Sequence, residues 1–570
     1  MTPSLEQFQH WTRIMGLAQQ TIMERAASLT SGQASSSDAM SGIATKIAEI
    51  QAESAQKGMS LWQNMMAGVT GEDPSIAVPV PATDRRFRHS AWSEHPVYSL
   101  LHQTYLLFSD ALLRMVDSFD GLDAHQKEKA RFAVRSLIDA ASPSNFPLTN
   151  PQVIERTLET KGQNLLLGLE RMMADLERGQ LSQTDAKAFT VGGNVAATPG
   201  KVVHETRLYQ LIQYSPMTDT VLATPLVIFP PWINRFYILD LSAEKSFVRW
   251  AVEQGLTVFM VSWKSADATI ADVSWDDYVG AQVDAIDTIR DLLDVKSVHA
   301  IGYCVAGTTL AATLAWLDVH GRQDIVKSAT FLTAQVDFAD SGDLGLFVDT
   351  QQIQVIDRLV KDGVLDGRYL AATFNLLRSN DLIWSYVVNN YLLADDYLPF
   401  DLLFWNGDTA NLPGKWLRSY LEDMYRDNKL VQTDCLSVAG TPIDLRRITV
   451  PAYIQAGVED HIAPARSVWK LMHHLSGPRR FLLAGSGHIA GVVNPPAKRK
   501  YRFWSTTESA GSLDEFRAIA AETPGSWWPD WFAWTEALDT SRIAATGARQ
   551  PGGGNRPAIE DAPGRYVMTR

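Results

Sequence analysis

An α/β protein built around a mainly parallel sheet follows from three observations. Short apolar runs at 208–214, 225–229, 256–262, 298–302, 328–334, 450–456 and 480–484 alternate with helix-like segments. The run at 298–302 enters a tight small-residue turn, and a helix-like stretch at 308–317 leaves it, with Cys304 at the tip. Loops just past the last two runs, Gly457-Val-Glu-Asp-His-Ile-Ala-Pro464 and Gly485-Ser-Gly-His488, supply an acid and a histidine.

Size and composition bound the rest. The 570 residues suffice for a substantial core, and 46% hydrophobic with 20% charged content is ordinary for a folded chain. No apolar run approaches a membrane-crossing length. The opening Met1-Thr-Pro-Ser-Leu-Glu-Gln-Phe lacks a basic segment followed by an apolar one, so no secretory signal is expected. Two Cys make no disulfide framework, which suits a reducing cytoplasm. A net charge of −13 excludes nucleic acid as the main partner, while a polyanionic substrate at a local basic patch stays compatible. Among 17 Trp, the cluster at Trp527, Trp528, Trp531 and Trp534 reads as core, or as a face for an apolar polymer or partner subunit.

Taken in order, residues 1–80 form a flexible and helical N-terminal region. It contains the polar Gln33-Ala-Ser-Ser-Ser-Asp38 and ends in a Pro-bounded linker at 74–81. Residues 81–198 form a helical domain, with apolar residues at three- and four-residue spacing over 97–116 and turns at Ser142-Pro-Ser-Asn-Phe-Pro147 and Thr149-Asn-Pro151. The α/β core occupies 199–340 and resumes at 446–546. Between its two parts, 341–445 is far longer than a usual connection and carries helix-like repeats at 353–364, 369–377 and 382–393. An insertion there would act as a cap or lid. The tail, 547–570, contains Pro551-Gly-Gly-Gly-Asn555 and is expected to be poorly ordered.

The strand–turn–helix around Cys304 has the form of a nucleophile elbow, with Gly302 and Ala306 keeping strand and helix close. A lone Cys in an apolar run is ordinarily a core residue. The chain order Cys304, Asp460, His488 changes that reading and points to an α/β-hydrolase fold with a helical cap insertion and a mainly helical N-terminal domain. Asp460 is assigned as the acid and His488 as the base. Asp460 could instead cap a helix starting near Pro464, and Asp337, Asp340 and Asp343 are rival acids. His461 directly follows the assigned acid and is badly placed to be the base. His299 lies inside the strand before the elbow and is expected to be packed there.

A Cys–His pair generates a thiolate that attacks an acyl carbonyl and forms a thioester. The developing oxyanion needs two donors. One is the Val305 N–H. The other should come from Phe229-Pro-Pro-Trp-Ile-Asn-Arg235, where Pro231 cannot donate and the N–H of Trp232 or Ile233 can, with Ile233 preferred. Exchange from a thioester donor onto Cys304 conserves the activation of the acyl bond, so transfer to an alcohol then runs downhill. This chemistry leans toward acyl transfer, with a Cys-dependent hydrolase (a thioesterase or polyester depolymerase) as the alternative.

From about Asp84 to Arg570 the chain resembles the single-subunit, short-chain class of polyhydroxyalkanoate synthases. The likeness is carried by Asp84-Arg-Arg-Phe87, Pro230-Pro-Trp-Ile-Asn234, Trp275-Asp-Asp-Tyr278, the Gly302-Tyr-Cys-Val-Ala-Gly307 box, Phe404-Trp-Asn-Gly-Asp408, Glu459-Asp-His-Ile-Ala-Pro464, Gly487-His-Ile-Ala-Gly491 and Ser526-Trp-Trp-Pro-Asp-Trp531. The resemblance implies polymerisation of (R)-3-hydroxyacyl-CoA, above all 3-hydroxybutyryl-CoA, on Cys304. It implies His488 as the base, with Asp460 assisting it in activating the 3-hydroxyl of the incoming unit. It also implies a homodimer with a mobile cap, no cofactor or metal beyond the acyl-CoA substrate, and residence on cytoplasmic polyester granules beside granule-associated proteins. Trp405 matches a family tryptophan linked to dimer contact or active-site support. Two departures stand out. Ala306 occupies a position that is commonly glycine in the family, and Trp232 one that is often cysteine. Cys435 matches a second family cysteine and is expected to be packed.

Overall fold

The computed structural model describes residues 37–69, 84–119 and 122–569. The linker expected at 74–81 and the start of the polar stretch at 33–36 lie outside them. The chain forms two compact units, Met1–Gln183 with Ala372–Leu398, and Thr184–Ala371 with Pro399–Arg570. The middle of the expected cap segment therefore belongs to the first unit.

That first unit is helical, through Ser37–Val69, Pro96–Asp117, Ala124–Ala140, Pro151–Glu159 and Gln163–Arg178. Local chemistry sets its boundaries. Asp123 and Gln126 close a reciprocal capping box. Asn150 caps the helix whose first residue is Pro151, a position where the missing N–H costs nothing. Trp92, Leu101, Tyr105, Leu112, Val134 and Ile138 make its core. The insertion helices are Thr350–Leu359 and Gly367–Leu377, followed by wide π-helical turns at Asn380–Trp384 and Val387–Leu392 where one ordinary helix was expected.

The second unit is organised by one sheet of 11 strands. In chain order these are β1 (Gly200–Glu205), β2 (Tyr209–Tyr214), β3 (Leu226–Phe229), β4 (Val258–Trp263), β5 (Val298–Tyr303), β6 (Val326–Leu332), β7 (Ala452–Gly457), β8 (Arg479–Ala484), β9 (Arg502–Ser505), β10 (Ala521–Pro524) and β11 (Glu560–Asp561). Their spatial order is β10-β9-β8-β7-β6-β5-β3-β4-β2-β1-β11. The six strands from β8 to β4 pair in parallel. Both flanks are antiparallel.

The parallel strands are buried on both faces, which is why they appear as continuous apolar runs. Alternate residues go to opposite sides. Val227, Phe229, Ala300, Phe331 and Ile454 join one core with the helices Trp275–Leu293 and Val305–Val319. Ile228, Met260, Ile301, Leu332 and Tyr453 join another with Phe247, Trp527, Trp528 and Trp531. All seven expected runs form strands. The run placed at 328–334 sits two residues earlier, because Thr333 turns to a positive φ of 41° and ends the strand.

One expectation fails. The tail does not trail away but returns to the sheet: β11 pairs with β1. The buried Arg549 donates to the Ala223 carbonyl at 2.7 Å, and the Arg235 guanidinium donates to the carbonyls of Tyr566 and Thr569 at 3.4 and 2.7 Å. Its Gly-rich Pro551-Gly-Gly-Gly-Asn555 is a turn between anchored segments.

Candidate active site

Cys304 follows β5 directly and precedes the helix that begins at Val305. Its backbone, φ 53° and ψ −127°, lies in the left-handed region that non-glycine residues avoid. Such a conformation costs about 1–3 kcal/mol and persists only where the surroundings enforce it. Here a backbone bond from the Cys304 N–H to the Leu332 carbonyl (3.0 Å) and the strand–helix contact enforce it. A Cβ on Gly302 would stand 2.5 Å from the Gly307 Cα, and one on Gly307 would stand 2.5 Å from the Ala334 Cβ. Ala306 is fully buried among apolar neighbours, and its carbonyl accepts from Gln282 Nε2 at 3.0 Å. The departure from the family's glycine thus falls where a methyl group fits, while Gly307, where none would, is retained.

Asp460 lies past β7 and His488 past β8, so both loops open at the same sheet edge as the elbow. His488 Nδ1 and Asp460 Oδ2 are 2.7 Å apart. The other carboxylate oxygen, Oδ1, accepts the N–H groups of Ile462 and Ala463 at 2.9 and 2.8 Å. Asp460 therefore acts both as a turn cap and as the partner of His488. With Nδ1 committed to the carboxylate, Nε2 is left for Cys304, whose sulfur lies close enough to act on the imidazole's charge. Cys304, Asp460 and His488 are thus brought together.

Burial pulls the pKa of His488 down. The hydrogen-bonded Asp460 carboxylate and the nearby Cys304 charge outweigh it and push the value up to about 10. A raised native pKa means that folding takes up a proton between the unfolded value of 6.5 and about 10. The stability this group contributes is fully present below 6.5 and is lost as pH rises through about 10. Urea unfolding of the wild type should show stability falling over that window, by at most about 1.4 kcal/mol per pH unit from this proton. In His488→Gln that component should vanish. An unchanged slope would contradict the assignment.

The His488 loop is held from several sides. The Tyr303 hydroxyl donates to the His488 carbonyl at 3.0 Å. The indoles of Trp527 and Trp528 donate to the carbonyls of Gly491 and Val492 at 2.8 and 2.9 Å. Trp527, Trp528 and Trp531 are accordingly buried, and the N–H groups of the first two position the loop.

The loop after β3 sits beside the elbow, since Phe229 pairs with Gly302 across β3 and β5. Trp232 turns its ring into the core, stacked on Tyr278 at 3.8 Å with an interplanar angle of 7° and edge-on to Trp263 and Trp416. Ile233 is half-buried against the same core. Trp263 Nε1 donates to the Pro230 carbonyl at 2.7 Å and Trp405 Nε1 to the Arg235 carbonyl at 2.8 Å, which fixes both ends of the loop. Trp405 is buried. Val305 opens its helix, so its N–H has no intrahelical acceptor.

Two phenols near the sulfur were not anticipated. Tyr420 and Tyr425 come from the insertion. Burial raises both hydroxyl pKa values, and the Cys304 charge raises them further. Both phenols therefore stay protonated as potential donors. Nothing in the sequence pattern marks these tyrosines, because helical insertion residues carry no fixed spacing to the elbow.

The rival residues go elsewhere. Asp337 accepts from Asn428 Nδ2 at 3.0 Å and pairs with Lys470 at 3.3 Å. Although burial opposes ionisation, His474, the Ala339 N–H, Asn428 and Lys470 hold its carboxyl well below the usual range. Asp340 pairs with Lys470 at 2.9 Å. Asp343 lies in the short helical turn Gly342–Phe347. His299 is buried in β5 against the Ser328 hydroxyl at 2.7 Å, as expected. Cys435, expected to be packed, is exposed instead, because it sits in a turn after the short helix Lys429–Val431 rather than in an apolar layer.

Comparison with known proteins decides the family. Residues 83–251 match the family described as poly-beta-hydroxybutyrate polymerase (PhaC) N-terminus, and residues 230–495 match the alpha/beta hydrolase fold. The chain is 43% identical to a poly(3-hydroxyalkanoate) polymerase subunit PhaC of Rhizobium etli, over 92% of this chain and 83% of that one. The chain belongs to the poly(3-hydroxyalkanoate) polymerase family. A second member, from Cupriavidus necator, is 42% identical over 94% of this chain and 90% of its own. A third, from Methylorubrum extorquens, is 44% identical over 92% and 87%. The protein is therefore an acyltransferase of the poly(3-hydroxyalkanoate) polymerase type, on an α/β-hydrolase fold preceded by a helical region. Among the described residues no helix is long and apolar enough to cross a membrane.

Proposed function

We propose that this polymerase joins (R)-3-hydroxyacyl units from coenzyme A thioesters, above all 3-hydroxybutyryl-CoA, through an acyl thioester on Cys304. The observation that carries this reading is His488 Nδ1 held 2.7 Å from the Asp460 carboxylate, with the imidazole under the influence of the Cys304 sulfur, in a chain of this family.

Each residue has a defined task. His488 holds on Nε2 the proton given up by the Cys304 thiol, and the thiolate attacks the acyl carbonyl. The tetrahedral oxyanion is received by the N–H groups of Val305 and Ile233. The C–S bond to CoA breaks, and the CoA thiolate leaves with the proton from His488. The imidazole, oriented by Asp460, next removes the proton from the 3-hydroxyl of an incoming unit. That oxygen attacks a Cys304-bound acyl thioester, forming the ester bond and freeing a sulfur, which recovers the proton. Thioester exchange is nearly balanced, and ester formation from a thioester is downhill, so cysteine suits this sequence better than serine. Buried Trp405 supports the loop after β3 through Arg235. The enzyme works as a homodimer on the surface of polyester granules in the cytoplasm, with granule-associated proteins beside it, and the segment 341–445 moves to admit substrate.

Incubation with (R)-3-hydroxybutyryl-CoA tests the reading. Insoluble polyester and free CoA in equal monomer amounts are expected. Free 3-hydroxybutyrate in place of polymer would identify a hydrolase instead.

A further inference from the structure

Residues 566–569 have no task in the chemistry described above, yet they are fastened from several sides next to the loop that follows β3. Tyr566–Met568 forms a short helical turn beside β4. The Tyr566 hydroxyl donates to the Thr206 carbonyl at 2.7 Å, and the Tyr566 N–H donates to Gln210 Oε1 at 3.1 Å. Val567 is buried in the core that contains Phe236 and Tyr237.

The carbonyls of this segment face a charge. The Arg235 guanidinium is 3% exposed and donates to the carbonyls of Tyr566 and Thr569 at 3.4 and 2.7 Å. Asp408 supplies the counter-charge, with 3.4 Å between Arg235 Nε and Asp408 Oδ1. Asp408 Oδ2 is in turn held by the Tyr237 hydroxyl at 2.8 Å. A buried cation keeps its place only while such partners surround it, because losing one leaves charge without solvation. The carbonyls at 566 and 569 are therefore part of what fixes the Arg235 side chain.

Arg235 also closes the loop Phe229-Pro-Pro-Trp-Ile-Asn-Arg235. Its own carbonyl accepts from Trp405 Nε1 at 2.8 Å, and the neighbouring Asn234 bridges to Thr409 in an isolated antiparallel pair. The stretch 405–409 thus holds the backbone at this end of the loop, while residues 566–569 hold the Arg235 side chain. Ile233 lies two residues earlier, so at most about 7 Å separates the two Cα atoms. An oxyanion donor must stand about 2.7–3.1 Å from a position that an oxygen takes up only in the transition state. A displacement at Arg235 is felt at the Ile233 N–H.

We propose that residues 566–569 are a positioning element for the oxyanion-binding loop, acting through the Arg235 guanidinium to set the Ile233 N–H. This rests on the reading of that N–H as the second oxyanion donor. The segment returns to the sheet to complete a catalytic loop that lies more than three hundred residues before it.

The test separates acyl transfer, which builds an oxyanion, from alkylation, which does not. The Cys304 thiolate displaces iodide from iodoacetamide by attack at a saturated carbon, so no new charge falls on oxygen and the rate reads the Cys304–His488 pair alone. Mass spectrometry of the Cys304 peptide follows it without interference from Cys435. Acylation is followed as the first release of CoA from (R)-3-hydroxybutyryl-CoA. Val567→Asp places a carboxylate in an apolar core and detaches 566–569 without altering the loop, and trypsin cleavage after Arg565 registers the release. In this variant and in Arg235→Gln, acylation and kcat should fall about a hundredfold, with KM and the alkylation rate unchanged. Arg235→Lys keeps the charge beside Asp408 but not the fork that reaches two carbonyls. It should recover part of the loss, and it stays informative where Arg235→Gln is unstable. The double variant Arg235→Gln/Val567→Asp should be no slower than the slower single, since both act through one contact. Wild-type acylation in Arg235→Gln, or in Val567→Asp with the segment released, would overturn the proposal. So would alkylation falling in step with acylation, or losses that add in the double variant. The acyl-CoA reading survives each of those results and falls only if the wild type releases no CoA.

Discussion

Replacing Cys304 by alanine should lower CoA release from (R)-3-hydroxybutyryl-CoA by roughly 10⁴- to 10⁶-fold, the scale seen when a covalent nucleophile is removed. The fold should survive, because the Cys304 backbone is held by Leu332 and by the Gly302–Gly307 contact rather than by its side chain. Alanine at φ 53° is no more strained than cysteine. The thermal midpoint should therefore stay within a few degrees while turnover disappears. Cys304→Ser separates nucleophile chemistry from geometry. A serine hydroxyl in the same place is a far weaker nucleophile at neutral pH, and the ester it forms has lost the thioester activation needed for chain transfer. It should form little polymer even where slow CoA release persists. Full CoA release by the alanine variant would remove Cys304 from the reaction.

Asp460→Asn should lower turnover by roughly 10³- to 10⁴-fold with little change in stability, following the precedent of triad acids replaced by amides. The two carboxylate oxygens make this variant informative. Oδ1 accepts the N–H groups of Ile462 and Ala463, a role that the asparagine carbonyl can keep. Oδ2 faces His488 Nδ1, where the amide would present a donor instead of an acceptor. The imidazole would have to give up its proton at Nδ1 and carry it on Nε2, the atom that must accept one from Cys304. Asp460→Ala removes both functions, so it should lose activity and, in addition, about 1 kcal/mol of stability from the missing cap. Comparing kcat and urea midpoints of the two variants separates the roles. An asparagine variant that keeps wild-type kcat would mean that Asp460 only shapes its turn.

The parallel half of the sheet was legible because β3 to β8 are buried on both faces, and such strands leave uninterrupted apolar runs. β1, β9, β10 and β11 were not. They are antiparallel strands on the flanks of the sheet, and β11 is just Glu560 and Asp561, with no apolar signal at all. The tail was misjudged for a related reason. Glycine and proline in 551–554 mark a turn equally well in a loose end and in a segment tied down on either side by Arg549 and by Tyr566 and Thr569. At the site, the order of Cys304, Asp460 and His488 along the chain gives their placement at one sheet edge, because each follows its own parallel strand. Tyr420 and Tyr425 come within range of the sulfur's charge from a helical insertion whose docking no local pattern encodes. Cys435 shows the reverse error, since a cysteine in isolation carries no sign of which way its turn faces.

The central claim is that the acyl chain is carried on the Cys304 sulfur. Acid quenching during turnover of (R)-3-hydroxybutyryl-CoA, followed by proteolysis and mass spectrometry, tests it most directly. The peptide containing Cys304 should carry hydroxybutyryl units in a bond that neutral hydroxylamine cleaves, and His488→Gln should show none. Acyl groups found on another residue, or polymer formed with Cys304 unmodified throughout, would contradict it.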